Sequence, residues 1–284
     1  MIQRRHYLHK DEDRMVKRLQ KAMIIDSKEL IEYYKKFEEE PLLPDLIGKT
    51  VEINEDQFPR VYTIVKNVAQ SLDMVIPKIY TFESFFYDVN AEGLDRPWIK
   101  ISSKTISDFS DKELEFLIAR QMCHIKEDHI RYEVLCEQQS KLIMMASSYG
   151  SQAASPIPMG SIGVGEISDV ASSKFKLVAS QWSRVSEYTA DFCAYMVCRD
   201  IKAAISAIKK TIVNSSSLAD EMKLKSFLKQ SDEILKLDSV MSQYSIFDEQ
   251  IPYGPFRIKE LIRFASSSDV KKALRDDTEK YSHI

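Results

Sequence analysis

Residues 119–129 read ARQMCHIKEDH. They sit in a run from Ser110 to Tyr149 that contains no glycine or proline. Ser110 and Glu113 supply the S-x-x-E pattern of a capping box, which satisfies the free backbone N–H groups at a helix start. The spacing therefore predicts a helix of about 25 to 30 residues beginning at Ser110. On such a helix Arg120 and His124 fall one turn apart on the same face, with Gln121 beside Arg120. Taken alone, each of these residues is ordinary for a surface or a packed helix. Their meaning depends on the rest of the chain.

The chain has 284 residues, 40 basic and 43 acidic side chains, and a net charge of −3. It is long enough for a sizeable core. The balanced charge gives no footprint for nucleic acid. Four cysteines occur, at 123, 136, 193 and 198, with no C-x-x-C pair. The N-terminus, MIQRRHYLHKDEDR, lacks the apolar core of a signal peptide. A cytoplasmic chain with free thiols is the expectation. Residues 142–165 carry no charge, but they include Pro156, Pro158, four glycines and five serines. Backbone freed by such residues is unsatisfied in hydrocarbon. No transmembrane span is expected, and about 146–168 reads as a mobile loop.

Residues 11–40 have helical apolar spacing, with Met15, Leu19 and Met23 four apart. Two helices are expected, broken near Asp26–Ser27 and ended by Pro41 and Pro44. RVYTIVKNVAQSLDM is a further amphipathic helix. KTVEINEDQFP is a short extended piece, and KIYTFES, FFYDVN and WIKISS are further extended runs. A second long helical stretch covers roughly 170–212, with breaks, and NSSS and IPYGP interrupt the helical C-terminal part. The fold class is α+β, mostly helical, with a small sheet and one long central helix. The expected division is an N-terminal helical segment at 1–48, a main domain at 49–270 and a C-terminal tail at 271–284.

One-helix zinc hydrolases place two histidines four residues apart so that both meet one metal, and a glutamate after the first activates a water. Aligned on His124, the first histidine's place holds Arg120 and the glutamate's place holds Gln121. Arginine is a permanent cation and no zinc ligand. An amide takes no proton at neutral pH, and losing a general base alone costs roughly 10²- to 10⁴-fold in rate.

Further stretches extend the comparison: PKIYTFES at 77–84, NAEGLDRPWIKISS at 90–103, DKELEFLIARQMCHIKEDH at 111–129, WSRVSEYTADFCAYMVCRD at 182–200 and IPYGPFRIKEL at 251–261. In this order they resemble the HtpX-like and CAAX-prenyl-protease family of gluzincin metallopeptidases, over about residues 50–265. The resemblance implies a zincin-like peptidase fold. It implies that Glu187 falls on the third zinc ligand, His124 on the second histidine, and Asp191 on an aspartate that orients the first histidine from behind. It also puts Arg257 near the substrate, and Asn90 and Ala91 on an edge strand that pairs with extended peptide. The sequence departs from the family at three positions, Arg120, Gln121 and Ile251, and Cys123 replaces a small glycine.

Two readings follow. In the first, the chain is a pseudopeptidase kept as a module that binds an extended peptide or a partner protein, with no cofactor. Arg120 then takes the metal's place in charge and bonds Glu187, Asp191 or both. In the second, it is an active zinc-dependent endopeptidase with an altered ligand set. On an unbroken helix His129 lies about 140° round from His124 and points away from the site, and Cys123 is turned by about 100°. GSIGVG at 160–165 is expected to be a flexible loop. His6 and His9 are expected to be solvated, Cys193 and Cys198 to be buried small residues, and Phe85, Phe86 and Tyr87 to pack in the core or at a strand edge.

Overall fold

A computed structural model describes residues 2–149, 169–239 and 249–281. Most of the expected loop, with GSIGVG, lies outside the described residues. Residues 146–149 belong to a helix.

The N-terminal part contains α1 (Glu12–Ala22) and α2 (Ser27–Tyr34). Asp26 caps α2, its side chain accepting from the N–H groups of Lys28 and Glu29. Pro41 and Pro44 do not end the helical run as expected. A π-helical segment at Lys35–Glu39 leads into α3 (Glu40–Lys49), which holds both prolines. Pro41 sits in the first turn of α3, where its missing N–H costs least. Wide π turns also relax the backbone ladder there.

A two-residue strand, β1 (Val51–Glu52), precedes α4 (Pro59–Leu72). The remaining strands are β2 (Lys78–Phe82), β3 (Val89–Glu92) and β4 (Trp98–Ser102). Their order is β1-β2-β4-β3. β2 and β4 are parallel, and the two outer pairings are antiparallel. Central β4 is covered on both faces, with Trp98, Ile99, Ile101 and Ser102 buried, as parallel neighbours require. β3 forms one edge. Of the aromatic run before it, Tyr87 is buried, but Phe85 and Phe86 are 81% and 67% exposed. The expectation of packing fails for those two because the chain bends away from the sheet before β3 begins.

After α5 (Ser103–Asp108) comes α6 (Asp111–Lys126), opened by the Ser110–Glu113 capping box. Leu114, Phe116, Leu117, Ile118, Ala119, Met122 and Cys123 are all buried. A helix apolar on nearly every side belongs in a core, and α6 packs against α4, β3 and the two helices that follow α7. The expected single long helix is in fact two. α6 stops at Lys126, Asp128 takes a left-handed φ of 59°, and α7 (His129–Tyr149) departs in a new direction. No glycine or proline marks this break.

α8 (Asp169–Cys198) and α9 (Ile201–Val213) are separated at Arg199–Asp200, with Asp200 capping α9. α10 (Ser216–Glu221), α11 (Leu224–Ile234), α12 (Gly254–Ser266) and α13 (Ser268–Tyr281) complete the described chain. Residues 271–281, within the expected C-terminal tail, lie in α13. The main core joins α4, the sheet, α6, α8, α9 and α12. α1 adds a second cluster in which Met15 and Leu19 meet Phe175, Val178 and Trp182 of α8.

Candidate functional site

α6 and α8 run side by side, and buried small residues on both (Ala119, Cys123, Ala190, Cys193 and Ala194) let them approach. Arg120 therefore faces Glu187 and Asp191, which lie four apart on one face of α8. Arg120 donates from Nε to Asp191 Oδ1 at 3.1 Å, and from Nη2 to Glu187 Oε2. Arg257 of α12 grips Asp191 from the other side, Nε to Oδ2 at 2.8 Å and Nη2 to Oδ1 at 2.7 Å. Charge-assisted, bidentate bonds of this kind are the strong ones. Two guanidinium groups balance two buried carboxylates, so no net charge is left in the cluster. Burial works against the charge on Arg257, but Asp191 more than offsets it and the pKa is raised.

His124 is 4% exposed. Its Nε2 lies 3.8 Å from Glu187 Oε1, too far for a hydrogen bond. Burial, then the nearby Arg120 charge, lowers its pKa well below the usual histidine value. Its Nδ1 lies 3.1 Å from His129 Nδ1. This corrects the expectation that His129 points away. The 140° offset assumed an unbroken helix, and the turn at Glu127–Asp128 swings the His129 ring back beneath His124. His129 is itself 1% exposed and faces Glu12 of α1.

Gln121 points at the sheet edge. Its Oε1 accepts the N–H of Ala91 at 3.1 Å. The edge strand therefore offers one of its outward N–H groups to a side chain of the central helix. Asn90 instead bonds Asp88, Nδ2 to Oδ1 at 2.6 Å. Asn90, Ala91, Arg120, Gln121, His124 and Glu187 all line a cleft of about 670 Å³. Ile251, half-exposed, closes part of its rim. Arg257 is held behind the cleft on Asp191 rather than lining it.

Sequence reasoning missed two residues. Glu133 of α7 lines the cleft, with Oε1 3.8 Å from His124 Nδ1. Its side chain is 47% exposed, yet the surrounding protein, and then the charge of Glu187, push its carboxyl up to about 7. Its place depends on the α6–α7 break. Glu12 is 1% exposed beneath the site. It lies on the same α1 stripe as Met15 and Leu19, and a carboxylate on an apolar stripe was the signal that could have revealed it. Two other expectations divide. Cys193 and Cys198 are buried, whereas His9 is only part-exposed and stacks on Tyr188 at 5.9 Å between ring centres.

A catalytic zinc needs three protein ligands and an open position. Only His124 and Glu187 remain of the ligand set that the resemblance implies, and Glu187 is engaged by a guanidinium. Among the described residues no group of three or more His, Cys, Asp or Glu side chains is arranged to hold a metal ion. The described residues do not fit zinc.

Comparison with known proteins gives a family model, described as Peptidase family M48, that matches residues 55–261. The chain is 22% identical over 245 residues to "Plastoglobule-localized metallopeptidase 48, chloroplastic" of Arabidopsis thaliana, covering 84% of this chain and 66% of that protein. It is 23% identical over 168 residues to "Protease HtpX homolog" of Methylibium petroleiphilum, covering 56% of this chain and 58% of that protein. The chain thus spans less than two thirds of the length of these curated relatives. No solved structure matches it. Among the described residues no helix is long and apolar enough to cross a membrane.

Proposed function

Because the chain belongs to peptidase family M48, we propose that it is a pseudopeptidase, a peptidase scaffold kept for binding rather than cleavage. The observation that carries this reading is the Arg120 guanidinium bonded to both Glu187 and Asp191. A cation fills the metal's electrostatic role without its chemistry. It holds a ligand carboxylate and has no lone pair with which to bind zinc. Gln121 supports the reading, since the position that should remove a proton from water instead satisfies a backbone N–H.

The ligand of such a module is an extended peptide, or a partner protein that presents one. β3 is a sheet edge beside the cleft, and a peptide that displaces Gln121 from the Ala91 N–H would gain main-chain hydrogen bonds along it by strand addition. Free cysteines are consistent with a reducing, cytoplasmic setting. Zinc enters only under the competing reading of an active endopeptidase. Metal content of the purified chain, with digestion of an unstructured protein such as casein, separates the two. The proposal expects no stoichiometric zinc and no chelator-sensitive cleavage. Both together would overturn it.

A further inference from the structure

Three buried side chains from three helices form a line behind the cleft. Glu12 Oε1 lies 3.5 Å from His129 Nε2, and both atoms are buried with no hydrogen-bond partner, so each faces the other as its nearest polar group across that gap. His129 Nδ1 lies 3.1 Å from His124 Nδ1. His124 Nε2 then looks toward Glu187 at the cleft. On the far side, Thr189 Oγ1 accepts the His9 N–H at 3.2 Å and donates its own proton to Glu12 Oε2 at 2.5 Å.

We propose that Glu12 of the N-terminal helix is a positioning residue for the cleft: acting through His129, it fixes His124 with its proton on Nδ1 and a bare, accepting Nε2 turned to the ligand.

Glu12 Oε1 is buried without a donor, and an unpaired buried carboxylate oxygen is costly, so His129 is assigned a single proton, on Nε2, facing Glu12. His129 Nδ1 is then a bare acceptor. A neutral imidazole has one N–H and one lone pair, so the 3.1 Å contact requires His124 to donate from Nδ1. Nε2 of His124 is left as the acceptor. No proton is gained or lost along the line; only its placement is set. The cleft thereby presents His124 Nε2 and Glu187 Oε1 as neighbouring acceptors, which suits a ligand bringing an N–H or O–H donor. That last step rests on the binding role proposed above, whereas the relay itself does not. Docking of α1 would in this way prepare the site from outside the region that the family model matches.

Nitrogen-15 NMR of the histidine side chains tests the relay with neither peptide nor metal added. In the wild-type chain, His129 is expected to show a protonated Nε2 and His124 a protonated Nδ1. The substitution Glu12→Gln keeps the shape and reverses the order. The Thr189 hydroxyl continues to need an acceptor, so the amide oxygen faces Thr189 and the amide NH₂ faces His129. Both imidazoles should then exchange their protonated and bare nitrogens, with His124 becoming a donor at Nε2. A folded Glu12→Gln protein that keeps the wild-type pattern would overturn the proposal. If that variant does not fold, the wild-type spectrum decides alone: a proton on Nε2 of His124 would overturn it. Failure here leaves the binding reading standing, and stoichiometric zinc with chelator-sensitive cleavage would sink that reading without touching this one.

Discussion

Arg120 and Asp191, 71 residues apart in sequence, meet through a 3.1 Å Nε–Oδ1 hydrogen bond. The same guanidinium reaches Glu187. Three positions that the family resemblance assigned to a metal site are thus joined through one guanidinium. Removing the arginine leaves Glu187 nearly buried and uncompensated, while Asp191 keeps Arg257. Breaking a buried pair from one side costs about 3 to 5 kcal/mol, and the surviving Arg257 contact puts Arg120→Ala near the lower end. Denaturant unfolding should show this loss. Adding Glu187→Ala should recover part of it, since the pair is coupled.

Gln121 and Ala91 predict a local effect. Gln121→Ala should expose the Ala91 N–H and speed its hydrogen exchange, while amides of central β4 keep their protection. The stability loss should be about 1 kcal/mol, the net worth of one ordinary hydrogen bond. An Ala91 amide that exchanges equally fast in both proteins would show that Gln121 does not guard the edge.

The cleft carries two pKa shifts of opposite consequence. Burial, then Arg120, lowers His124, so the folded state stays neutral there while the unfolded chain takes up a proton below about 6.5. His124 therefore costs stability as pH falls through that value. Glu133 is raised to about 7 by its surroundings and by Glu187, an effect that solvent weakens at its half-exposed side chain. The folded state holds that proton longer than the unfolded chain, so the favourable contribution is present in acid and is lost as pH rises toward 7. Glu133→Gln should therefore gain on the wild type progressively between about pH 4.5 and 7. Unfolding midpoints measured across that range check it. A constant difference between the two proteins would contradict the assignment.

Much of the fold was legible because local signals agreed with it. The Ser110–Glu113 capping box opens α6 as read, and β2 and β4 fall within KIYTFES and WIKISS, while β3 shares only Val89 and Asn90 with FFYDVN. The pairing of Arg120 with two acids was legible because helical spacing puts Glu187 and Asp191 on one face. The break at Asp128 was not legible, since a non-glycine residue at positive φ carries no local mark. His129 and Glu133 were misplaced or missed as a result, because both positions follow from the direction of α7. The run through Pro41 and Pro44 was misread because a π segment is a tertiary accommodation, invisible to spacing rules. Glu12 was missed for another reason: its partner, His129, had been placed on the wrong side.

The most direct test of the central claim is zinc stoichiometry, measured by elemental analysis on the wild-type chain and on the double variant Arg120→His/Gln121→Glu. The variant restores a third ligand beside His124 and Glu187, and a carboxylate base beside it. No bound zinc is expected in the wild type, and stoichiometric zinc in the variant. Stoichiometric zinc in the wild type, lost on Glu187→Ala, would contradict the claim.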